Sequence, residues 1–364
     1  MPDTSHLFTP ATMGDLELSN RVFMAPLTRN RAQSDGTPKD MAQTYYRQRA
    51  TAGLIFTEAT QVSAMGKGYI DTPGIHDAAH VAAWKKITDA VHAEGGRIFL
   101  QLWHVGRISH RSLLPDGAAP VSSTDKAAAA QTFTAQGFEE TSKPQALTIE
   151  GIAATVADFA KAAENAKAAG FDGVEVHAAN GYLLDQFLRD GVNDRDDAYG
   201  GSIANRIRFV EEVIDAVVGV WGKDRVGLRL SPLGQFNDMS DSDPEALFAE
   251  VYKLAEAKGL AYLHVVELFP GAAADGADRA LMKRLRAHFN GFYIANGDFD
   301  AESGAEAIAS GHAQAITYGR PYIANPDLVE RYRTGADLNT PDGDTFYGGN
   351  EKGYTDYPTL AQTP

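Results

Sequence analysis

The chain places an imidazole, a carboxamide and a phenol within one short stretch, His177-Ala-Ala-Asn180-Gly-Tyr182, directly after the apolar run Asp172-Gly-Val-Glu-Val. His177 and Asn180 can both donate hydrogen bonds, so together they suit an acceptor oxygen such as a carbonyl. Tyr182 offers an O–H on a rigid stem, suited to delivering a proton nearby. A plainer reading stands beside this one: Asn180 caps a helix starting near Leu183, and His177 is a satisfied polar group at a strand end.

Those residues need a scaffold that delivers them to one face. Short β-branched and aliphatic runs recur at 21–27, 54–58, 97–103, 172–178, 225–231, 261–267, 291–297 and 314–319. Amphipathic patterns lie between them, with Val156, Phe159, Ala160 and Ala163 on one face and Ile207, Val210, Val213, Ile214 and Val217 on another. Strands alternating with helices in this number predict an α/β fold of the (β/α)8 TIM-barrel type, formed by residues 1–364 as one domain. Three parts fall outside the repeat: the first 20 residues, an excursion over 104–147 directly after the third strand, and the tail beyond about Arg333. The excursion is rich in Ala, Pro, Ser and Thr and reads as a flap over the barrel, either a substrate lid or a flexible insert.

In such a barrel, side chains at the C-terminal ends of the strands converge on one mouth. Here those ends read Pro26-Leu27-Thr28, Thr57-Glu58-Ala59, Gln101-Leu-Trp103-His104, the His177 to Tyr182 stretch, Arg229, Asn296-Gly297-Asp298 and Gly319-Arg320. The loops after strands seven and eight commonly cradle a phosphate. Gly297 and Gly319 let backbone N–H groups approach, and Arg320 adds a bidentate cation. The alternative is that the glycines make tight turns and Arg320 forms a surface ion pair. Thr28 and Gln101 could bond the polar edge of a planar heterocycle, Ala59 is small enough for close approach, and Arg229 could stabilise negative charge on a reduced ring. A phosphate at one end and such a ring at the other describe flavin mononucleotide (FMN).

The chain resembles the Old Yellow Enzyme family of FMN-dependent ene-reductases, especially the branch of N-ethylmaleimide, nitrate-ester and morphinone reductases. The resemblance spans nearly the whole chain. It rests on Asn20-Arg-Val-Phe-Met-Ala-Pro-Leu-Thr-Arg29, Gln101-Leu-Trp-His-Val-Gly-Arg107, Gly173-Val-Glu-Val-His-Ala-Ala-Asn-Gly-Tyr182, Asp194-Arg-Asp-Asp-Ala-Tyr-Gly-Gly-Ser202, Asn205-Arg-Ile-Arg-Phe209 and Tyr318-Gly-Arg-Pro-Tyr-Ile-Ala-Asn-Pro326. It implies an isoalloxazine held by Thr28, with Pro26 beside it, and by Ala59, Gln101 and Arg229, and a phosphate held by Gly297, Gly319 and Arg320. It further implies that His177 and Asn180 bind the substrate oxygen, that Tyr182 donates the proton, and that Tyr69 and Trp103 line the substrate space. The last two also read as packing aromatics. Some relatives carry a second histidine where this chain has Asn180; both types donate, so the difference bears on substrate preference. The implied cycle uses NADPH or NADH as a transient hydride donor and reduces activated alkenes such as enones, maleimides and nitroalkenes, with nitrate esters as further candidates.

Composition bounds the partners. A formal net charge of −15 disfavours nucleic acid and anionic membranes. No apolar stretch approaches a membrane span, and the opening Met-Pro-Asp-Thr-Ser-His lacks a secretory pattern, so a cytoplasmic protein acting on small molecules is expected. With 0 cysteines, disulfides, thiolate chemistry and cysteinyl-flavin links are excluded. Two rivals stay open: a non-redox phosphate-binding lyase or isomerase, though no strand end supplies a Schiff-base lysine, and a flavin binder without turnover. His76 and His80 are four apart but lack metalloprotease logic and read as solvated surface histidines. Arg107 and Arg111 are candidate ligands for a nicotinamide 2′-phosphate.

Overall fold

A computed structural model describes residues 3–268 and 276–362. The aliphatic runs form eight parallel strands: β1 (Val22–Met24), β2 (Ile55–Phe56), β3 (Ile98–Trp103), β4 (Gly173–His177), β5 (Val226–Leu230), β6 (Tyr262–Val266), β7 (Tyr293–Asn296) and β8 (Ala315–Tyr318). Each pairs with its sequence neighbour, and β8 pairs with β1 to close the barrel. All eight fall within the runs expected from the sequence, and the (β/α)8 barrel is the observed fold. The strands are buried on both faces, as parallel strands inside a helical ring must be, which is why they read as continuous apolar runs.

The helices carry their own boundary chemistry. The Thr148 side chain accepts from the Gly151 amide to open Ile149–Ala168, and Ser202 accepts from the Asn205 amide to open Ile203–Trp221. Asp243 with Pro244 behind it starts Pro244–Lys258, which stops at Gly259 in the left-handed region (φ 61°). Phe159 and Ala163 on one helix, and Val210, Val213, Ile214 and Val217 on the other, are buried against the barrel.

Two irregularities position the site. Strand β2 is broken at 57–59, and its ladder resumes at Thr60–Gln61, which pairs with Leu102 and Trp103; at the break Ala59 packs with Trp103, while Glu58 bonds the Tyr46 hydroxyl and the Arg29 amide. The first 20 residues supply a hairpin, Ala11–Met13 with Leu16–Leu18, whose Met13, Leu16 and Leu18 pack with Phe23, Phe56 and Phe99 and close the opposite end. The excursion holds an antiparallel hairpin, Gln131–Thr134 with Gly137–Glu140.

Candidate active site

His177 is the last residue of β4, and strand register sets it opposite Arg229 on β5. Its ring is 4% exposed and its Nδ1 has no partner among the described residues. Burial, reinforced by the positive charge of Arg229, holds it well below its ordinary pKa, so the imidazole is neutral and offers one N–H. Past it the backbone turns sharply. Asn180 takes φ 59° and Gly181 φ 76°, a left-handed pair that throws Asn180 back over β5. Its amide donates to Ser231 Oγ at 2.8 Å, and its carbonyl accepts from Asn237 Nδ2 at 2.8 Å. The carboxamide oxygen is left without a partner, and rotation exchanges it for the donor NH2. Asn180 therefore does not cap the helix Leu183–Leu188; Tyr182 stands at the cap position, and Asp185 reaches back to accept from the Gly181 amide. Gly181 itself is fixed by packing, since a Cβ there would lie 2.7 Å from Asn237 Cβ and Met239 Cγ.

Tyr182 projects into a cage of rings. It meets Trp103 edge-on at 5.0 Å and His177 at 5.3 Å, and shares a 3.2 Å hydrogen bond with the Tyr69 hydroxyl. Tyr69 in turn stacks on Trp103 at 5.9 Å. Burial pushes the Tyr182 phenol up to about 12, with Tyr69 and Asn237 pulling against it, so it holds its proton through the neutral range. Ala59 packs in the same cluster beneath Trp103.

Two adjoining cavities occupy the barrel mouth. One, about 630 Å³, is walled by Thr28, Tyr69 and Tyr182 from the barrel and by Phe133 and Phe138 from the excursion hairpin, which therefore overhangs the mouth as expected. The other, about 660 Å³, runs from Arg229 and Asn296 to Gly297, Gly319 and Arg320. Pro26, Leu27, Ile323, Phe346 and Tyr347 belong to both. Arg229 is buried, donates to Asn296 Oδ1 at 2.7 Å, and leaves its Nε without a partner. Arg320 is exposed and makes no ion pair among the described residues. An unpartnered guanidinium N–H at one end, a free guanidinium beside two glycines at the other, and a donor-rich cavity between them fit the ring and the phosphate of FMN. Gln101 lies behind the ring end, its Nε2 donating to Glu175 Oε1 at 2.8 Å.

The tail and the loop after β5 contribute walls that strand-end reasoning missed. Arg29 donates to the carbonyls of Phe346 (2.9 Å) and Gly353 (2.8 Å), and Arg31 to those of Thr345 (2.9 Å) and Asn350 (3.0 Å). Tyr354 stacks on Tyr45 at 4.0 Å beneath the Arg31 guanidinium. These contacts bring Phe346 and Tyr347 to the mouth, where Phe236 joins them. The aromatic pair Phe346-Tyr347 before Gly348-Gly349 was the available sequence cue. Two expectations are corrected. Arg107 is buried and donates to the carbonyls of Asn237 (3.3 Å) and Asp238 (2.8 Å), so it is not free for a phosphate, whereas Arg111 is exposed. His80 is not a solvated surface residue: it is 2% exposed, bonded through Nε2 to the Asp35 carbonyl at 2.9 Å and packed edge-on against His76.

A closed parallel barrel with neutral donors and a phenol at one side of its mouth and a cationic, glycine-lined cradle at the other defines a phosphate-anchored cofactor oxidoreductase. The chain belongs to the NADH:flavin oxidoreductase / NADH oxidase family, whose pattern matches residues 6–339. It is 48% identical over 362 residues to 12-oxophytodienoate reductase 1 of Oryza sativa subsp. japonica, covering 98% of this chain and 93% of that protein. It is 46% identical over 364 residues to 12-oxophytodienoate reductase 2 of Arabidopsis thaliana, covering 98% and 96%. Among solved structures it superimposes on morphinone reductase with a TM-score of 0.93 at 48% identity, covering 97% of this chain and 96% of that one. The Old Yellow Enzyme homologue from Zymomonas mobilis gives a TM-score of 0.93 at 41% identity, covering 97% and 99%. The family expected from the sequence is the one found, and with it FMN-dependent ene-reduction using a reduced nicotinamide; the lyase and non-turnover readings fall away. Among the described residues no helix is long and apolar enough to cross a membrane.

Proposed function

We propose that the chain reduces activated alkenes whose electron-withdrawing oxygen is held by His177 and Asn180, with Tyr182 delivering the proton. FMN, when bound, would supply the hydride chemistry that links a reduced nicotinamide to the alkene β-carbon. Pro26, Thr28, Ala59, Gln101 and Arg229 are assigned to its ring, and Gly297, Gly319 and Arg320 to its phosphate. His177 and Asn180 polarise the acceptor from one side as neutral donors. Tyr182 gives its proton to the α-carbon and recovers one through the hydroxyl it shares with Tyr69. Trp103 and Tyr69 form the wall against which the substrate body rests, and Phe133, Phe138 and Tyr347 extend it outward, favouring an apolar body. The single observation that carries this reading is the Tyr182 phenol, held protonated between the His177 and Trp103 rings at the wall of the Thr28 cavity.

One pocket serves both half-reactions, because no separate dinucleotide fingerprint follows any strand; the solved complex of morphinone reductase with tetrahydroNAD supports a visiting nicotinamide. The test is anaerobic absorbance of the purified protein during NADPH addition, followed by 2-cyclohexenone. A yellow band that bleaches with NADPH and returns with the enone is expected. A bleached band that stays bleached with enone, maleimide and nitroalkene would overturn the substrate assignment.

A further inference from the structure

Beneath the mouth, the barrel interior holds a carboxylate that the proposed cycle does not use. Glu175 on β4 is 0% exposed. Its Oε1 accepts from Gln101 Nε2 and its Oε2 bonds His264 Nδ1, each at 2.8 Å. A carboxylate can only accept, so the neutral imidazole carries its proton on Nδ1, aimed at Glu175, while His264 Nε2 meets Thr317 Oγ1 at 2.8 Å. Register builds the cluster: Glu175 lies opposite Gln101 on β3, and Arg229 lies opposite both His177 and His264. Gly227, opposite Glu175 on the other side, leaves room for the Tyr262 ring, because a Cβ there would sit 2.0 Å from that ring. Burial raises the Glu175 pKa, but His264, Arg229 and Gln101 outweigh it and the group ends below its ordinary value, so it is ionised in the neutral range. His264, lowered to about 4, is neutral there.

An ionised carboxylate enclosed in a barrel is costly, and apolar residues of similar volume would stabilise as well or better. Its position suggests what it does. A carboxylate only accepts, so it obliges Gln101 to present Nε2 inward and its carbonyl oxygen outward. Its charge also lies next to the Arg229 guanidinium, one of whose N–H groups remains without a protein partner.

We propose that Glu175 is a positioning residue for the flavin: it locks the Gln101 amide in one orientation and offsets part of the Arg229 charge, thereby lowering the electron affinity of the bound ring. This rests on the placement of FMN proposed above. A fully positive Arg229 would favour the negative charge a flavin acquires on reduction; a neighbouring carboxylate weakens that pull and leaves the reduced cofactor a stronger donor.

Two substitutions in the holoenzyme separate the roles. Glu175→Gln removes the charge but keeps an acceptor for Gln101, so the flavin midpoint potential is expected to move positive while FMN affinity stays within a few-fold. Glu175→Asp keeps the charge but draws it out of reach of Gln101, so the potential is expected to hold while the FMN dissociation constant, read by fluorescence on re-adding FMN to apoprotein, rises about tenfold. A role in barrel stability alone would lower the melting temperature of both without this split. An unmoved or more negative potential in Glu175→Gln, or parental FMN affinity in Glu175→Asp, overturns the proposal. Failure of the unaltered apoprotein to take up FMN would instead overturn the placement, and this inference with it.

Discussion

The two sides of the barrel mouth use opposite electrostatics. On the side of β7 and β8, Arg320 stands exposed and charged beside Gly297 and Gly319, with no ion pair among the described residues. On the side of β3 to β5, His177 and Tyr182 are enclosed by rings and by Arg229, and burial drives both toward their uncharged forms. The first side suits a ligand that arrives with its charge and keeps it. The second suits a reaction in which charge appears only transiently, because neutral donors stabilise a developing oxyanion without binding anions in the ground state. On the assignment proposed above, the contrast would separate retention of cofactor from turnover of substrate within one opening.

The strongest way to break that separation is Tyr182→Phe. We expect alkene reduction to fall about 10²- to 10⁴-fold, the range for a lost general acid, while flavin reduction by NADPH changes little; equal slowing of both in stopped-flow would refute the assignment. Next is Gly181→Ala, which combines a left-handed residue with a Cβ 2.7 Å from Asn237 and Met239. It should cost about 1–2 kcal/mol of stability from backbone strain alone, and displace Asn180 and Tyr182 so that enone KM rises while FMN affinity is kept. Unchanged enone kinetics would show that the loops after β4 and β5 are not coupled. On the other side, Arg320→Ala should weaken FMN by about tenfold to a hundredfold, as expected for a charge-assisted pair worth about 1.5–3 kcal/mol, and leave the binding of phenolic ligands to reconstituted enzyme intact. FMN titration of the apoprotein checks it.

Two smaller effects concern pH. Glu58, at the break in β2, is pushed up to about 7 by burial, against hydrogen bonding and charge from Arg29. Between about 4.5 and about 7 the unfolded chain has lost a proton that the folded chain keeps, so this group makes stability fall as pH rises through that window and level off above it. Glu58→Gln should remove the slope, the difference from the parent growing by on the order of 3 kcal/mol between pH 4.5 and 8 in denaturant unfolding. Last, enone reduction in the reconstituted enzyme should show no ionisation of His177 between pH 5.5 and 8, because that imidazole stays neutral and Tyr182 stays protonated throughout. A step near pH 6.5 that disappears in His177→Asn would contradict it.

How much was legible follows the same division. The strands could be read because each is a buried run whose apolar content is set by the barrel, and the candidate residues were chosen by their place at the strand ends. His177 ends β4 and Arg229 lies one residue before the end of β5, whereas Tyr182 and Asn180, in the turn beyond β4, were weighed by their type. What stayed hidden depended on partners distant in sequence. Arg107 looked like a phosphate ligand because the Asn237–Asp238 carbonyls it serves lie 130 and 131 residues away. His80 looked solvated because nothing in its own helix shows that Gly36 and Gly74 pack over it. Phe346 and Tyr347 belong to no repeat, and it is contacts from the far end of the chain, Arg29 and Arg31 among them, that bring them to the mouth.

Those arginines tie distant parts of the chain together. The carbonyls that Arg29 grips at Phe346 and Gly353 lie 317 and 324 residues further along. Two guanidiniums close to β1 therefore fix where the tail runs across the barrel mouth. Phe346 and Tyr347 wall both cavities, so a chain cut before Gly343 is expected to lose enone selectivity and to hold FMN more weakly. Parental selectivity and FMN affinity in such a truncation would overturn it.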